Sequence, residues 1–161
     1  MKYDNRLNRA IAKINKAPKP LQHWLRNKSI GKAVPMIGTA GIKFEKMTCQ
    51  EVILNLPNRK KVQNHIQQVH AAASVLLAES ASGMVVGMNI PDDKLPLMKS
   101  LGAKFIARSQ GAQKAIATLS TEQIDLLRNT EKGEVQVPIQ LLDSTGKEIV
   151  ITEMVWAWIS K

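Results

Sequence analysis

Residues 64–83 read NHIQQVHAAASVLLAESASG, and this stretch decides the fold. Between positions 62 and 91 the only Lys, Arg, Asp or Glu is Glu79. Apolar and small side chains occupy every face of a helical wheel over His65–Ser82, which indicates a helix buried on most of its sides. Gly83 is placed to end this helix, because glycine commonly follows the last helical residue.

The segments around this helix alternate between apolar and polar residues with a period of two, which is typical of strands. The sequence predicts strands at Gly41–Lys46, Glu51–Leu56, Met84–Ile90, Leu101–Ala107, Gln113–Ser120, Glu134–Leu142 and Lys147–Ile159. A loop is predicted at Pro91–Pro96 and a short helix at Thr121–Arg128. Pro138 favours a bulge or a sheet edge at its position.

An open, flat sheet cannot cover one helix on all sides, whereas a strongly curved sheet can. The sequence therefore predicts an α+β fold in which a mostly antiparallel sheet wraps one long helix. The open edges of such a sheet invite pairing between subunits, so we expect a dimer.

The chain has 161 residues and a net charge of +10, of which +8 lies in residues 1–35. We therefore divide it into a basic N-terminal helical extension, residues 1–35, and a domain, residues 36–161. Leu7, Ile11 and Ile14 fall on one helical face, and a second short helix is predicted at Leu21–Lys28, anchored by Trp24 and Leu25. We expect the basic face to be solvated.

Composition excludes several classes of protein. Cys49 is the single cysteine, so neither an internal disulfide nor a cysteine metal cluster is expected. Apolar runs are too short to span a bilayer, and a cytoplasmic protein is the default expectation. The extension lacks interleaved aromatic residues, so no nucleic-acid partner is expected. Membrane contact through residues 1–35 is the weaker alternative to a solvated helix.

Glu79 is the residue that most needs explaining, because an unpaired buried carboxylate is costly. It reaches the surface, is satisfied by a polar partner from elsewhere, or is catalytic. His70 lies nine residues earlier, roughly 13.5 Å along a helix. The two side chains therefore act together only if they come from two chains; otherwise His70 marks the helix start, where backbone N–H groups are free to bind an oxygen.

The spacing Asn64-x5-His70-Ala71-Ala72-x6-Glu79 resembles the helix-entry motif of hotdog-fold thioesterases of the phenylacetate-pathway type. That motif is an asparagine, a glycine three positions later, His-Gly-Gly, and an acid nine positions after the histidine. The strand order and the segment VILNLP at 52–57 also match. The resemblance covers about residues 38–159 and extends to a hotdog subfamily that carries an extra N-terminal helical segment.

The resemblance implies hydrolysis of an acyl thioester with Glu79 as general base or nucleophile. Asn64 would position the carbonyl or the water, and the backbone N–H groups at His70, Ala71 and Ala72 would polarise the carbonyl. Glu79 of one protomer would face the helix start of the other, so a homodimer, or a tetramer built from it, is implied. The substrate would be an acyl group on coenzyme A or acyl carrier protein, with no separate cofactor or metal.

Five cations are candidates for binding the coenzyme's phosphates, and ordinary solvent exposure is the favoured alternative for any single one of them. They are Arg59, Lys60, Lys99, Lys104 and Arg108.

Two departures from the motif keep other functions open. Ala71 and Ala72 replace its two glycines, and Gln67 stands where a glycine is usual. These changes motivate the alternative of a non-catalytic hotdog protein that binds acyl-coenzyme A or lipid. The spacing of His65 and Glu79 also resembles that of hotdog dehydratases, but the intervening segment lacks their proline and glycine residues, so we do not favour that reaction.

Overall fold

The computed structural model describes residues 4–161, so Lys2 and Tyr3 of the extension lie outside it. The helices are α1 (Arg6–Ile14), α2 (Lys19–Ala33), α3 (Pro35–Ala40), α4 (Ala71–Gly87) and α5 (Thr121–Asn129). The strands are β1 (Lys43–Met47), β2 (Glu51–Leu56), β3 (Lys94–Phe105), β4 (Gln113–Thr118), β5 (Gly133–Val137), β6 (Ile139–Asp143) and β7 (Glu148–Ser160). A short 3-10 turn spans Lys60–Val62.

The strands form one sheet in the order β1-β2-β4-β6-β7-β3, and β5 also pairs with β7. Every pairing between these strands is antiparallel. The inward side chains of β2 and β4 face one another across the register, for example Val52 opposite Ala117 and Leu54 opposite Ala115, and all four are fully buried. This face of the sheet forms the core.

Helix α4 packs against this inward face, and eight of its 17 residues are buried. Leu77, Ala78, Ala81 and Val85 are fully inaccessible to solvent, and the helix contacts β2, β3, β4, β6 and β7. Burial on so many sides follows from the sequence of α4, which lacks a polar stripe. The predicted fold class, α+β with one central helix on a mostly antiparallel sheet, is confirmed.

The helix begins at Ala71, and the predicted start at His65 is wrong. Asn64 accepts hydrogen bonds through Oδ1 from the backbone N–H groups of Ile66 and Gln68, which folds residues 64–68 into a turn. Gln67 has a φ of +61°, a left-handed conformation that a helix cannot contain. Asparagine side chains often compete with helix formation in this way.

The helix ends at Gly87, and the predicted strand at Met84–Ile90 is also wrong. A short apolar run fits a buried helix as well as a buried strand, so its pattern could not distinguish the two. Gly83 does not end the helix. A Cβ atom at this position would lie 2.8 Å from Trp156 of β7, so the glycine allows helix and sheet to approach closely.

Two predicted strand boundaries also change. The strand predicted over Glu134–Leu142 is divided at Pro138 into β5 and β6, because proline has no N–H to donate to the ladder. Strand β3 begins at Lys94, inside the predicted loop Pro91–Pro96, because it pairs with β7 along its whole length. The predicted strand at Glu51–Leu56 and the predicted helix near Thr121–Arg128 are confirmed. Ser120 caps this helix, α5.

The N-terminal helices dock on the domain through polar side chains. Asn5 donates from Nδ2 to the carbonyls of Gly87 and Ile90, which satisfies acceptors beyond the last turn of α4. Arg26 of α2 donates to the carbonyls of Phe44 and Glu45, and Asn27 accepts from the N–H of Phe44. Helix α2 therefore covers the outer edge of β1.

Helix α2 is longer than predicted, and one of its predicted anchors is wrong. Arg26 and Ile30 are buried and face the domain, whereas Trp24 is 53% exposed. The sequence could not show that a buried arginine holds this helix while the tryptophan points outward. Within residues 4–161, no helix has the length and apolar character to cross a membrane.

We expect Gly83→Ala to lower the free energy of unfolding by about 1–3 kcal/mol through overpacking against Trp156. The loss should occur although alanine is intrinsically favoured over glycine in a helix by about 1 kcal/mol. Urea denaturation measures the change. Gly87→Ala is the matched control, because a Cβ there would meet only the flexible tip of Leu7, at 3.2 Å. A Gly83→Ala variant as stable as Gly87→Ala would contradict the close approach.

Candidate active site

The start of α4 presents backbone N–H groups beside a capping histidine. His70 is the N-cap and accepts a hydrogen bond through Nδ1 from the N–H of Ala72 at 3.0 Å. Within the described chain, the N–H groups of Ala71 and Ala73 have no hydrogen-bond acceptor. They point out of the positive end of a 17-residue helix. Two donors are thus available to a ligand. The N–H groups of His70 and Ala72, also predicted as donors, are occupied, because that of His70 donates to the carbonyl of Val62 at 2.7 Å and that of Ala72 to His70 Nδ1.

The loop before the helix holds Asn64 with its side-chain oxygen already in use. Asn64 Oδ1 caps the turn described above, so it is the amide Nδ2 that is free to contact a ligand. Gln67, the residue that replaces a usual glycine, occupies a left-handed conformation of the kind that glycine adopts most easily.

A pocket of about 140 Å³ opens at this helix start. Asn64, Ala71 and Arg108, all singled out from the sequence, lie in its wall. Its polar lining also includes Ser74, Ser109 and Gln113, and its apolar lining includes Ile66, Val69, Phe105 and Ile149. The pocket therefore joins an apolar wall to hydrogen-bond donors, as small-molecule sites commonly do.

Gln113 is a pocket residue that the sequence analysis missed. It is 1% exposed and donates from Nε2 to Ser109 Oγ at 3.0 Å, and its Oε1 has no hydrogen-bond partner in the described part of the chain. The sequence signal was a polar residue on the inward face of β4, where Ala115 and Ala117 follow at period two. Such a buried acceptor is costly unless something donates to it.

Glu79 lies in the middle of α4 and is half-buried. Burial raises the pKa of its carboxyl above the ordinary value, and a weak hydrogen bond from Ser80 Oγ opposes this only in part. No Lys, Arg or His of the described residues forms an ion pair with it. The carboxylate is therefore unneutralised within one chain.

One chain does not bring Glu79 and the helix start together. Eight residues separate Glu79 from Ala71 on the same helix, a rise of about 12 Å. Glu79 is not among the residues that line the pocket. The structure therefore groups Asn64, Ala71 and Arg108, leaves Glu79 apart, and shows His70 as a cap.

The other cations predicted for phosphate binding are dispersed. Arg59 lies beside Gly41, Lys60 is in the 3-10 turn, and Lys104 is exposed on β3. Lys99 forms an ion pair with Glu134. Arg108 is the one of the five that lines the pocket. In residues 4–161, no cluster of three or more His, Cys, Asp or Glu side chains is placed to hold a metal ion.

Comparison with protein families matches residues 22–159 to the model of DUF4442, described as a domain of unknown function. Two solved structures are similar over most of both chains. A Pseudomonas aeruginosa protein of unknown function, described as a probable thioesterase, has a TM-score of 0.74 at 22% identity, covering 81% of this chain and 91% of its own. A structural-genomics target has a TM-score of 0.78 at 19% identity, covering 98% of this chain and 100% of its own.

A third structure is a variant of a thioesterase enzyme from Staphylococcus aureus, substituted at a glutamine. It has a TM-score of 0.63 at 17% identity and covers 78% of this chain and 98% of its own. Another structure of that protein is substituted at a glutamate fifteen positions further along. These likenesses establish the hotdog fold. The comparison with curated proteins found no match.

We expect Glu79→Gln to stabilise the protein at neutral pH. Burial raises the pKa of Glu79 in the folded state. Below the ordinary pKa of the carboxyl, the group is protonated in both states and does not affect stability. As the pH rises above that value, the free energy of unfolding falls, because the unfolded chain ionises more readily than the folded one. The amide cannot ionise, so the gap between the variant and the wild type should grow from near zero as the pH rises through the ordinary pKa of the carboxyl, and should level off above its raised folded-state pKa. Urea denaturation at each pH measures it. A variant less stable than the wild type at neutral pH would show that the carboxylate is neutralised in the folded protein.

Proposed function

The chain belongs to the DUF4442 family, and we propose that it hydrolyses acyl thioesters at a site completed by a second copy of the chain. The observation that carries the proposal is Glu79, a half-buried carboxylate with a raised pKa and no cationic partner among residues 4–161. It lies on a helix whose free end opens into a pocket. A carboxylate of this kind is suited to act as a general base, because its pKa is shifted towards the working pH.

The proposed reaction begins with the thioester carbonyl oxygen at the start of α4. The N–H groups of Ala71 and Ala73 donate to it, and the helix dipole favours the negative charge that develops there. The Glu79 carboxylate takes a proton from water while the water oxygen bonds to the carbonyl carbon. The carbon–sulfur bond then breaks, the acyl group leaves as a carboxylic acid, and the proton on Glu79 passes to the departing thiolate.

A second copy is needed because Glu79 and the helix start are about 12 Å apart within one chain. The two edges of the sheet support such pairing differently. Helix α2 covers β1, whereas β3 has a neighbour only on the β7 side among the described residues. Along β3, Leu95, Leu97 and Leu101 are 41–52% exposed. A long, apolar, unpaired edge favours association with another strand.

The pocket lies next to this open edge, since Phe105 ends β3 and lines the pocket. A partner seated along β3 therefore reaches the pocket mouth, and its Glu79 would supply the base. Asn64 Nδ2 would hold the attacking water or the carbonyl. The separation of fifteen positions between Asn64 and Glu79 equals that between the two substituted residues of the Staphylococcus aureus protein.

The pocket also suggests the kind of acyl group. Its apolar wall, which includes Phe105 and Ile149, suits a hydrocarbon chain or ring. A volume of about 140 Å³ is close to that of an apolar cavity of about 150 Å³ that holds benzene. We therefore propose short or single-ring acyl groups. Arg108 at the mouth would contact a phosphate of coenzyme A or of the carrier protein's pantetheine arm.

We expect Glu79→Gln to lower kcat by about 10²–10⁴-fold, because the amide cannot accept the proton from water. The assay follows thiol release from short, aromatic and long-chain acyl-coenzyme A. Glu148→Gln is the matched control, since Glu148 is exposed on β7 and should leave the rate unchanged. A Glu79→Gln variant with the full wild-type rate would overturn the mechanism.

We expect Ala71→Pro to lower kcat by about 10²–10³-fold, because proline removes one proposed donor to the oxyanion. Ala71 is the first residue of α4, where proline is well tolerated, and His70 already has φ −63° and ψ 143°, which suit a residue before proline.

Thr121→Pro is the control for this substitution, because Thr121 is likewise the first residue of a helix, α5, and follows an extended N-cap. It should fold and retain the wild-type rate. An active Ala71→Pro variant would exclude the Ala71 N–H as a donor. Tight acyl-coenzyme A binding by calorimetry with no turnover in the wild type would instead favour the non-catalytic binding protein, a reading motivated by Ala71 and Ala72.

A further inference from the structure

One face of α2 points away from the domain and combines apolar with basic side chains. Leu21, Trp24, Lys28 and Lys32 are all exposed and recur at the spacing of a single helical face. We call this the outer α2 face. The opposite face, with buried Arg26 and Ile30, holds the helix on the domain. Side chains of the opposite face therefore hold α2 on the domain, and those of the outer α2 face remain available to a partner.

Trp24 is the member of this face that most requires a partner. It is 53% exposed, whereas Trp156 and Trp158 are 9% and 1% exposed. The Lys28 ammonium lies 4.6 Å from the centre of its ring. At the corner between α2 and α3, Val34 and Met36 add exposed apolar surface, Met36 being 62% exposed. A tryptophan and aliphatic side chains are therefore all exposed to solvent along α2 and at its C-terminal end.

The charged side chains of α1, α2 and the link between them are all basic. The exposed lysines of α1, α2 and the link between them are Lys13, Lys16, Lys19, Lys28 and Lys32. None of them forms an ion pair with a carboxylate of the described residues. Asp4, the one acidic residue in residues 4–40, pairs with Arg9. The surface would therefore attract an anionic partner.

We propose that the outer α2 face, with Val34 and Met36, binds the surface of an anionic lipid bilayer. Tryptophan, leucine and methionine enter the boundary between headgroups and acyl chains, and lysines alongside them bind lipid phosphates. A nucleic acid would use the lysines and one stacking ring but would leave the aliphatic side chains unburied. The proposal goes beyond thioester hydrolysis and does not depend on Glu79.

The experiment uses the full chain and vesicles of equal parts phosphatidylcholine and phosphatidylserine, with phosphatidylcholine alone for comparison. We expect co-sedimentation with the anionic vesicles that weakens as salt increases. Tryptophan emission should shift to the blue on binding, because Trp24 moves from water into the lipid boundary, and Trp24→Ala should abolish this shift.

The charge test compares two variants with the same change in net charge. Lys28→Glu with Lys32→Glu should weaken vesicle binding by about 25-fold or more, roughly five-fold for each lysine lost. Lys132→Glu with Lys147→Glu changes exposed lysines outside the N-terminal helices. This variant should bind vesicles within about two-fold of the wild-type affinity at the same salt concentration. All variants are checked for wild-type denaturation midpoints.

Three results would overturn the proposal. One is no binding of the full chain to anionic vesicles. Another is equal loss of binding in the two double variants, which would mean diffuse attraction by net charge. The third is tighter binding to a DNA duplex than to vesicles with no change in Trp24 emission, which would assign the face to nucleic acid.

Discussion

Helix α4 carries apolar or small side chains on every face, so it is stable only where protein covers it on nearly all sides. The antiparallel sheet meets this requirement by contacting the helix through β2, β3, β4, β6 and β7, and Gly83 lets Trp156 of β7 come close. The positions of the N-terminal helices follow from the same constraint. Asn5 satisfies carbonyls at the end of α4, and α2 covers the edge of the sheet at β1.

The single carboxylate of this helix, Glu79, departs from that constraint. Desolvation raises the pKa of Glu79, and no cation of the described chain offsets the cost of its charge. The residue therefore lowers the stability of the fold, as functional carboxylates often do. Glu79 is far from the free N–H groups at the helix start of its own chain, and the edge of the sheet at β3 is uncovered among the described residues. Pairing of two chains explains both observations. Two copies would pair along β3, and each would complete the other's pocket.

Much of the architecture could be predicted from the sequence, because alternation and the all-apolar helix leave few folds. Glu51–Leu56 and the grouping of Asn64 with Ala71 at one helix end are examples. The true start of α4 depends on Asn64 turning the chain, and the exposure of Trp24 depends on Arg26 bonding to β1. Both are contacts between side chain and backbone that periodicity does not register. Gln113 enters the pocket only through the sheet register.

The measurement that tests the shared site most directly is subunit mixing. Ala71→Pro and Glu79→Gln each disable a different half of the proposed site, so each homodimer should be inactive. After the two proteins are unfolded together and refolded in equal amounts, half of the dimers hold one site free of both substitutions. If each site is built from two copies of a two-fold symmetric dimer, the mixture should recover about a quarter of the wild-type thioesterase rate. Two inactive variants whose mixture stays inactive, although exchange is shown by differently tagged chains, would contradict a site built from two copies.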